Sequence, residues 1–583
     1  MRSQSTRRWT RLLALLLGLA MVAAACGGDD DDSASDDDDG GSEQGDTGAV
    51  ENEPDGDGDP VAGGKLVYGL DAAASSPWTP ANVVCDPSCH KVMRTVFETL
   101  TVTSAGDDPE PLPYLLESFS ANEDFTEWTL VPREGITFHD GTPFDAEAIK
   151  VNLEAFKTSF LTGNALLDLE SVEVVDGNAV AKTSRPWAHF PIFLSGQTGY
   201  MASPTWLAAV ADGSAEQDEP VGTGPFVFQS YEPAGSFIAT KNADYWRADE
   251  GLPYLDEVEL RVIADIQSRQ TALLNGDIDM MMTSNGDAIS QLRDEDGIET
   301  FESDQFGEKA FTLLNVNNPD SAIQDVRIRR ALAFATDNQV LIDRRGGGVP
   351  AVSNGPFGAG QIGELDDTGY PEFDQDAARA LVEEYKADNG ISGDVPISYT
   401  TTSDPFNLGT AELVKQFWDA VGFETEVAQI EQSQFIVTAL QGDFEAFGWR
   451  NHGGYNPDSQ RYWWHSEAAV CGIRDTCPDG GDPGLALNFG RIRDDVIDGA
   501  LDALRESDDP AVVQEQAEII NRQFGEQAYN LWSSETVWMW AKVPAVNGLG
   551  SWETPEGGGV GEAMGVGPAH GFVQLWCDDG SCS

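Results

Sequence analysis

Residues 449–464 hold the densest set of side chains able to recognise another molecule. They run Trp449, Arg450, Asn451, His452, Gly453, Gly454, Tyr455, Asn456, Pro457 and Asp458, followed by Arg461, Trp463 and Trp464. Ring faces, amides, an imidazole and a cation on a glycine-rich loop can stack on a solute and hydrogen-bond it without making or breaking bonds. Taken singly, Trp449 or Trp463 fits a core position at a strand end as well as a cleft wall. Constellations for covalent or acid–base chemistry are not found. The six histidines (His90, His139, His189, His452, His465, His570) form no His-Glu-x-x-His zinc pair, and no Gly-x-Ser-x-Gly elbow or phosphate loop is present. Gly358–Gly363 spells Gly-x-Gly-x-x-Gly, but it lacks the strand before and the helix after that dinucleotide binding requires, so it reads as a loop. His139, beside the turn Asp140-Gly141, reads as a structural residue. The expectation is therefore a binding protein, not an enzyme, with no cofactor and no resident metal. An exported hydrolase is the disfavoured alternative.

The elements around these residues begin with an export signal. Arg2, Arg7, Arg8 and Arg11 precede the apolar run Leu12–Ala25, which is short for a bilayer span and fits a secretory signal. Ala23-Ala24-Ala25 before Cys26 reads as a lipobox with Cys26 lipidated; the alternative is an ordinary signal cut after Ala25. Residues 27–60 carry fifteen Asp and Glu and no Lys or Arg, the composition of a disordered, extended tether. No other stretch is long and apolar enough to cross a bilayer. The other six cysteines form close couples, Cys85 with Cys89, Cys471 with Cys477 and Cys577 with Cys582, and are expected to bond locally and pin loops. Three residues separate Cys85 from Cys89, one too many for c-type haem attachment.

The whole chain has 583 residues and a net charge of −65, from 99 acidic and 34 basic residues. That length exceeds one hydrophobic core and implies at least two lobes. That charge disfavours nucleic acid and anionic lipid as partners and suits a salty habitat.

Along the chain, Lys65–Leu70 reads as a first strand and Val92–Leu100 as an apolar-faced helix. Residues 136–149 read as a short strand, a tight turn and a helix capped near Asp145. Val172–Lys182 reads as a hairpin around Asp176-Gly177-Asn178. Helices are expected near 374–388, 410–420, 491–506 and 510–527, alternating with strands such as 423–430 and 444–449, which implies α/β lobes. Asp325 reads as the cap of a helix whose Leu332 and Ala335 face inward.

Several of these segments share a pattern. Phe138-His-Asp-Gly-Thr-Pro-Phe-Asp-Ala-Glu-Ala-Ile149 resembles the signature of family 5 extracellular solute-binding proteins, the peptide- and nickel-binding receptors of ABC importers. Val96-Phe97-Glu98-Thr99-Leu100, Glu127–Gly135 (departing at Val131-Pro132), Val221–Phe226, Asn242–Trp246, Asn275–Asp279 and Asn315–Ala335 resemble further family motifs, in the family's order. The resemblance implies an α/β, two-lobed periplasmic-binding-protein fold of type II with an extra subdomain, mixed sheets flanked by helices and a cleft between the lobes. It places the signal at 1–25 and the lipidated tether at 26–60. The first lobe's core would come from 61–95, 221–318 and 541–583, its extra subdomain from 96–220, and the second lobe from 319–540. It implies a monomeric lipoprotein on the extracytoplasmic face of the cell membrane. That protein would capture a small polar solute, a peptide or something peptide-like, and deliver it to a permease. A metal chelate or other non-peptide solute is the alternative, and a surface adhesion or signalling protein of the same fold is a further one. The Val221–Phe226 and Asn242–Trp246 motifs are scaffold in this family.

The resemblance implies ligand contacts from Trp449, Arg450, Asn451, His452, Tyr455, Asp458 and Trp463, with Trp78 and the Cys85–Cys89 loop bordering the cleft from the first lobe. Peptide-binding relatives carry a segment like Trp-x-x-Asp-Tyr-x-[Asp/Glu]-Pro whose first Asp pairs with a peptide ammonium. Here Trp449, Tyr455 and Pro457 match, but His452 and two glycines occupy the Asp region and Asp458 follows the Pro. His452 offers a partner for a carboxylate or a metal chelate instead.

Overall fold

The computed structural model describes residues 58–583 apart from 74–77, 105–108, 160–161, 305–306, 432–433, 452, 455, 471, 473–483, 551, 561–571, 581 and 583. The signal, Cys26, most of the tether, His452 and Tyr455 lie outside the described residues. So do Cys471 and Cys477, and with them the disulfide expected between these two cysteines.

Three larger sheets organise the chain. A seven-stranded mixed sheet runs, in spatial order, Glu299–Ser303, Trp538–Lys542, Met280–Thr283, Lys65–Leu70, Glu257–Val262, Ser236–Lys241 and Phe226–Tyr231. A five-stranded mixed sheet runs Phe423–Ile430, Val395–Thr402, Ala446–Asn451, Lys309–Leu314 and Asn530–Glu535. A four-stranded antiparallel sheet comprises Leu116–Ala121, Glu127–Pro132, Asn178–Thr183 and Leu169–Val175. The chain passes from the seven-stranded to the five-stranded sheet after Ser303 and returns after Glu535. The strand Lys309–Leu314 thus already belongs to the second sheet, ahead of the expected lobe start at 319. It is held there by pairing with Ala446–Asn451 and Asn530–Glu535.

The cores follow the same division. One cluster joins the seven- and four-stranded sheets through Leu66, Leu130, Leu169, Trp187 and Val258. The five-stranded sheet buries both faces. Leu314, Ala446 and Leu531 enter one cluster, while their chain neighbours Leu313, Phe447 and Trp532 enter another. Alternation of side chains along each strand produces this separation, and helices such as Pro405–Asp419 and Pro510–Gln527 cover the faces.

Local chemistry sets the element ends. Asp145 accepts from the N–H groups of Glu147 and Ala148 and starts the helix Ala146–Thr158. Asp325 caps Val326–Ala335, whose Leu332 and Ala335 are buried. The hairpin between Leu169–Val175 and Asn178–Thr183 turns on Asp176 and Gly177, both at positive φ, as a two-residue turn of matching twist requires. Three helices differ from their expected bounds because a cap residue acts elsewhere. The first runs Pro87–Val96, because Asp86 accepts from Cys89 N–H and Phe97 is extended. Asp404 starts Pro405–Asp419 and Asp494 starts Asp495–Glu506.

The scaffold motifs hold one another. His139 N–H donates to Gly222 O at 2.9 Å, His139 Nε2 meets Gly224 O at 2.9 Å, and Gly224 N–H donates to Val96 O at 2.8 Å. A Cβ on Gly222 or Gly224 would lie 2.1 or 2.5 Å from Val96 O, so only glycine allows this approach. Burial lowers the His139 pKa, consistent with a neutral ring at the turn. Nearby, the buried Glu98 carboxylate accepts from Tyr114 and Tyr245 hydroxyls at 2.9 and 2.6 Å and from Trp246 Nε1 at 3.0 Å.

Candidate functional site

The site is built where both chain crossings meet. Lys309, the first residue of its strand, pairs with Asn451 on one side and with Glu535 on the other. The end of Ala446–Asn451 therefore lies beside the crossing that follows Ser303 and the one that follows Glu535. Trp449 and Arg450, one residue apart on this strand, point to opposite sides.

Trp449 is half-buried. Its ring stacks on Phe435 at 4.8 Å between centroids with planes 8° apart, and meets Phe489 edge-on at 5.0 Å. Half-buried Trp463 packs on the same Phe489 at 5.2 Å. The two indoles thus share one phenyl ring and form a wall that is neither sealed core nor free surface.

Arg450 links the sheets. Its Nε pairs with Glu308 Oε1 at 2.6 Å, its Nη1 donates to Ser284 Oγ at 2.7 Å, and its guanidinium lies 4.8 Å from the Trp538 ring centroid. Ser284 follows a strand of the seven-stranded sheet and Trp538 begins another, so this side chain spans both crossings. Burial pushes the Glu308 carboxyl up, opposed by the charge of Arg450 and by hydrogen bonds from Trp538 and Arg450. Next to it, buried Lys309 pairs with Glu535 and donates to Gln361 Oε1 at 2.8 Å. Burial raises Glu535 as well, with Lys309 opposing. Two matched ion pairs therefore lie side by side at this strand end. The Arg450 side chain is 38% exposed, which leaves part of its fork for a polar or anionic group.

Two expected ligand contacts are corrected by their surroundings. Trp78 is fully buried, edge-on to Tyr231 and Phe237 at 5.3 and 5.8 Å. It is a core residue of the first lobe. Asp458 is also fully buried, and both its oxygens are engaged, Oδ1 with Arg505 Nε at 2.8 Å and Oδ2 with Trp187 Nε1 at 2.8 Å. With no exposed surface, the carboxylate is closed to a ligand ammonium. Of the three expected disulfides, two are observed, Cys85 bonded to Cys89 and Cys577 to Cys582. The third expected bond, from Cys471 to Cys477, falls outside the described residues. Asn451 lies at the strand end by its backbone pairing.

The family model described as bacterial extracellular solute-binding proteins, family 5 Middle, matches residues 110–469, more than half of the chain. The chain belongs to this family.

Among curated relatives, this family 5 chain is 26% identical to the glutathione-binding protein GsiB of Shigella flexneri over 328 residues, 55% of this chain and 61% of GsiB. The match thus spans less than two thirds of that relative's length. It is 24% identical to the nickel-binding periplasmic protein of Escherichia coli (strain K12) over 389 residues, 62% of this chain and 71% of the relative. Solved structures share its fold. The periplasmic binding protein DppA from Helicobacter pylori, in complex with peptide STSA, matches with a TM-score of 0.75 at 20% identity, covering 89% of this chain and 98% of DppA. AgaA from A. tumefacien R10, in complex with agropinic acid, matches with a TM-score of 0.74 at 21% identity, covering 88% and 99%. The expected two-lobed α/β architecture is the one observed. Among the described residues no helix is long and apolar enough to cross a membrane.

Sequence reasoning missed Ser284, Glu308, Lys309, Glu535, Asp168 and Arg505. Glu308-Lys309 carried a signal, two charges at the entrance of the apolar run Ala310–Leu314. Asp168 and Arg505, 337 positions apart, carried none.

Proposed function

We propose that this chain is the solute receptor of an ABC importer, held on the extracytoplasmic face of the cell membrane by lipid on Cys26. It captures a small polar solute between its lobes and delivers it to membrane permease subunits. One observation carries this reading: the Trp449–Phe489–Trp463 wall and the partly exposed Arg450 sit where both chain crossings join the lobes. A solute held by Arg450 beside Ser284 and Trp538 would touch both lobes and so bind the closed state better than the open one, the condition for closure. A peptide or peptide-like solute is the first reading, supported by relatives named for binding glutathione and the peptide STSA.

A second reading, a non-peptide solute such as a metal chelate, is favoured by the engagement of both Asp458 oxygens. His452 would then supply an imidazole toward the cargo. Tryptophan fluorescence titrated with glutathione, a free tetrapeptide, its N-acetylated form and nickel–histidine separates the readings. A saturable response to any of these, weakened at least tenfold in Trp449→Ala, supports the cleft; a response unchanged by Trp449→Ala places binding elsewhere.

A further inference from the structure

Three arginines converge on the seam between the four-stranded sheet's lobe and the five-stranded sheet's lobe. Arg505 lies between two buried carboxylates, with Nη1 on Asp168 Oδ2 at 2.6 Å and Nε on Asp458 Oδ1 at 2.8 Å. Its guanidinium lies 4.1 Å from the Trp187 ring centroid, and Trp187 Nε1 returns to Asp458 Oδ2. Arg185 reaches Asp168 Oδ1 at 3.0 Å, Asp502 Oδ1 at 2.6 Å and Glu467 Oε1 at 3.1 Å. Arg461 meets the same Asp502 and Glu467 at 2.7 and 3.1 Å. Asp168, Arg185 and Trp187 come from the first lobe's side, while Asp458, Arg461, Glu467, Asp502 and Arg505 come from the second. A backbone bond from Ala188 N–H to Arg505 O at 2.8 Å crosses the same seam. Tyr462 packs against core clusters of both sides.

Charge gives this seam its meaning. Acidic residues outnumber basic ones 99 to 34, so two lobes approaching each other repel unless cations are set between them. Parting the lobes would break Asp168–Arg505, the pairs of Arg185 with Glu467 and Asp502, and Trp187–Asp458 together, so these contacts form and break as a unit. Burial by itself would raise Asp502, but a hydrogen bond from His465 and the charges of Arg461, His465 and Arg185 outweigh it and hold the carboxyl at about 2.

We propose that Arg185, Arg461 and Arg505, clamped between Asp168 on one lobe and Asp458, Glu467 and Asp502 on the other, form a latch that holds the lobes closed and fixes Asn456, Pro457 and Asp458 against the opposite lobe. This rests on the two-lobed receptor reading. Asp458 is then a positioning residue whose carboxylate ties the ligand segment to the opposite lobe. Hydrogen–deuterium exchange on the ligand-free full chain tests this, because it needs no ligand and so reads separately from solute binding. Arg185→Gln or Asp502→Asn, both at the partly exposed rim of the cluster, should speed exchange at Ala188 and at Asp458 about tenfold, since opening free energy sets protection. Strand Lys65–Leu70 should keep its wild-type protection. The double variant should accelerate exchange by less than the product of the two single effects, because Arg185 and Asp502 share one of their contacts. Unchanged exchange at Ala188 in both variants would overturn the latch. So would acceleration spread equally to Lys65–Leu70, which would reveal general destabilisation instead. A fluorescence response to solute that survives in variants with unchanged Ala188 exchange would leave the receptor reading standing and the latch refuted.

Discussion

At the scale of single residues, a side chain's identity revealed its chemistry but not its neighbours. Asp458 is one residue past Pro457 in a segment resembling a ligand loop, and the resemblance implies a ligand contact from it. Its actual partners, Arg505 and Trp187, are 47 and 271 positions away, beyond the reach of local spacing. Asp458→Asn should therefore cost about 2–4 kcal/mol of stability, because it leaves Arg505 short of a buried counter-charge; thermal unfolding measures this. The free and N-acetylated forms of one peptide should bind equally in the wild type, as calorimetry would show. Asp86 offers a pH test. Burial raises its carboxyl to about 6, with hydrogen bonding from Cys89 N–H opposing and the charge of Asp71 adding. A carboxyl raised on folding contributes its full stability below the unfolded value near 4, and that contribution is lost as pH rises through about 6. Asp86→Asn keeps a capping oxygen and removes the charge. It should raise Tm by about 1–3 °C at pH 7.5 and leave it unchanged at pH 4. The expected gain is small because Asp86 is only half-buried and solvent screens it.

At the scale of elements, much was legible because short-range chemistry decides it. The strands Lys65–Leu70 and Phe423–Ile430 and the helix Pro510–Gln527 appear at their expected bounds. Side-chain periodicity and a Pro at the first helical turn are local signals. The helix Pro87–Val96 was displaced from 92–100 because apolar spacing does not show where an Asp cap acts. The glycine motif 222–224 is recognisable as a pattern, yet its reason is tertiary, the approach of another chain segment's carbonyl. Gly224→Ala would put a Cβ 2.5 Å from Val96 O and 2.6 Å from its carbonyl carbon. Backbone on both sides must then move, at about 1–3 kcal/mol. The melting temperature should fall while the midpoint of any solute titration stays within twofold, because the motif is scaffold.

At the scale of the whole molecule, length implied two lobes and acidity disfavoured anionic partners, but neither located the seam or the cleft. The lobes are defined by where strands pair: Lys309 joins Asn451 and Glu535 only in the folded sheet. With a net charge of −65 the compact state is strained at low salt. Raising NaCl from 0.1 to 1 M shortens the screening length from about 10 Å to about 3 Å. Melting temperature should therefore rise by several degrees, since surface repulsion is screened while the buried pairs of Arg505 are little affected. A fall in Tm over this range would show that exposed ion pairs outweigh repulsion. The central claim is that the strand end carrying Trp449 and Arg450, with Trp463 nearby, binds a solute. Native mass spectrometry of the full chain purified from its own source tests it most directly. The wild type should carry one small solute per chain that is released on denaturation, and Trp449→Ala should emerge bare from the same preparation. Equal occupancy in wild type and Trp449→Ala would contradict this account of the cleft.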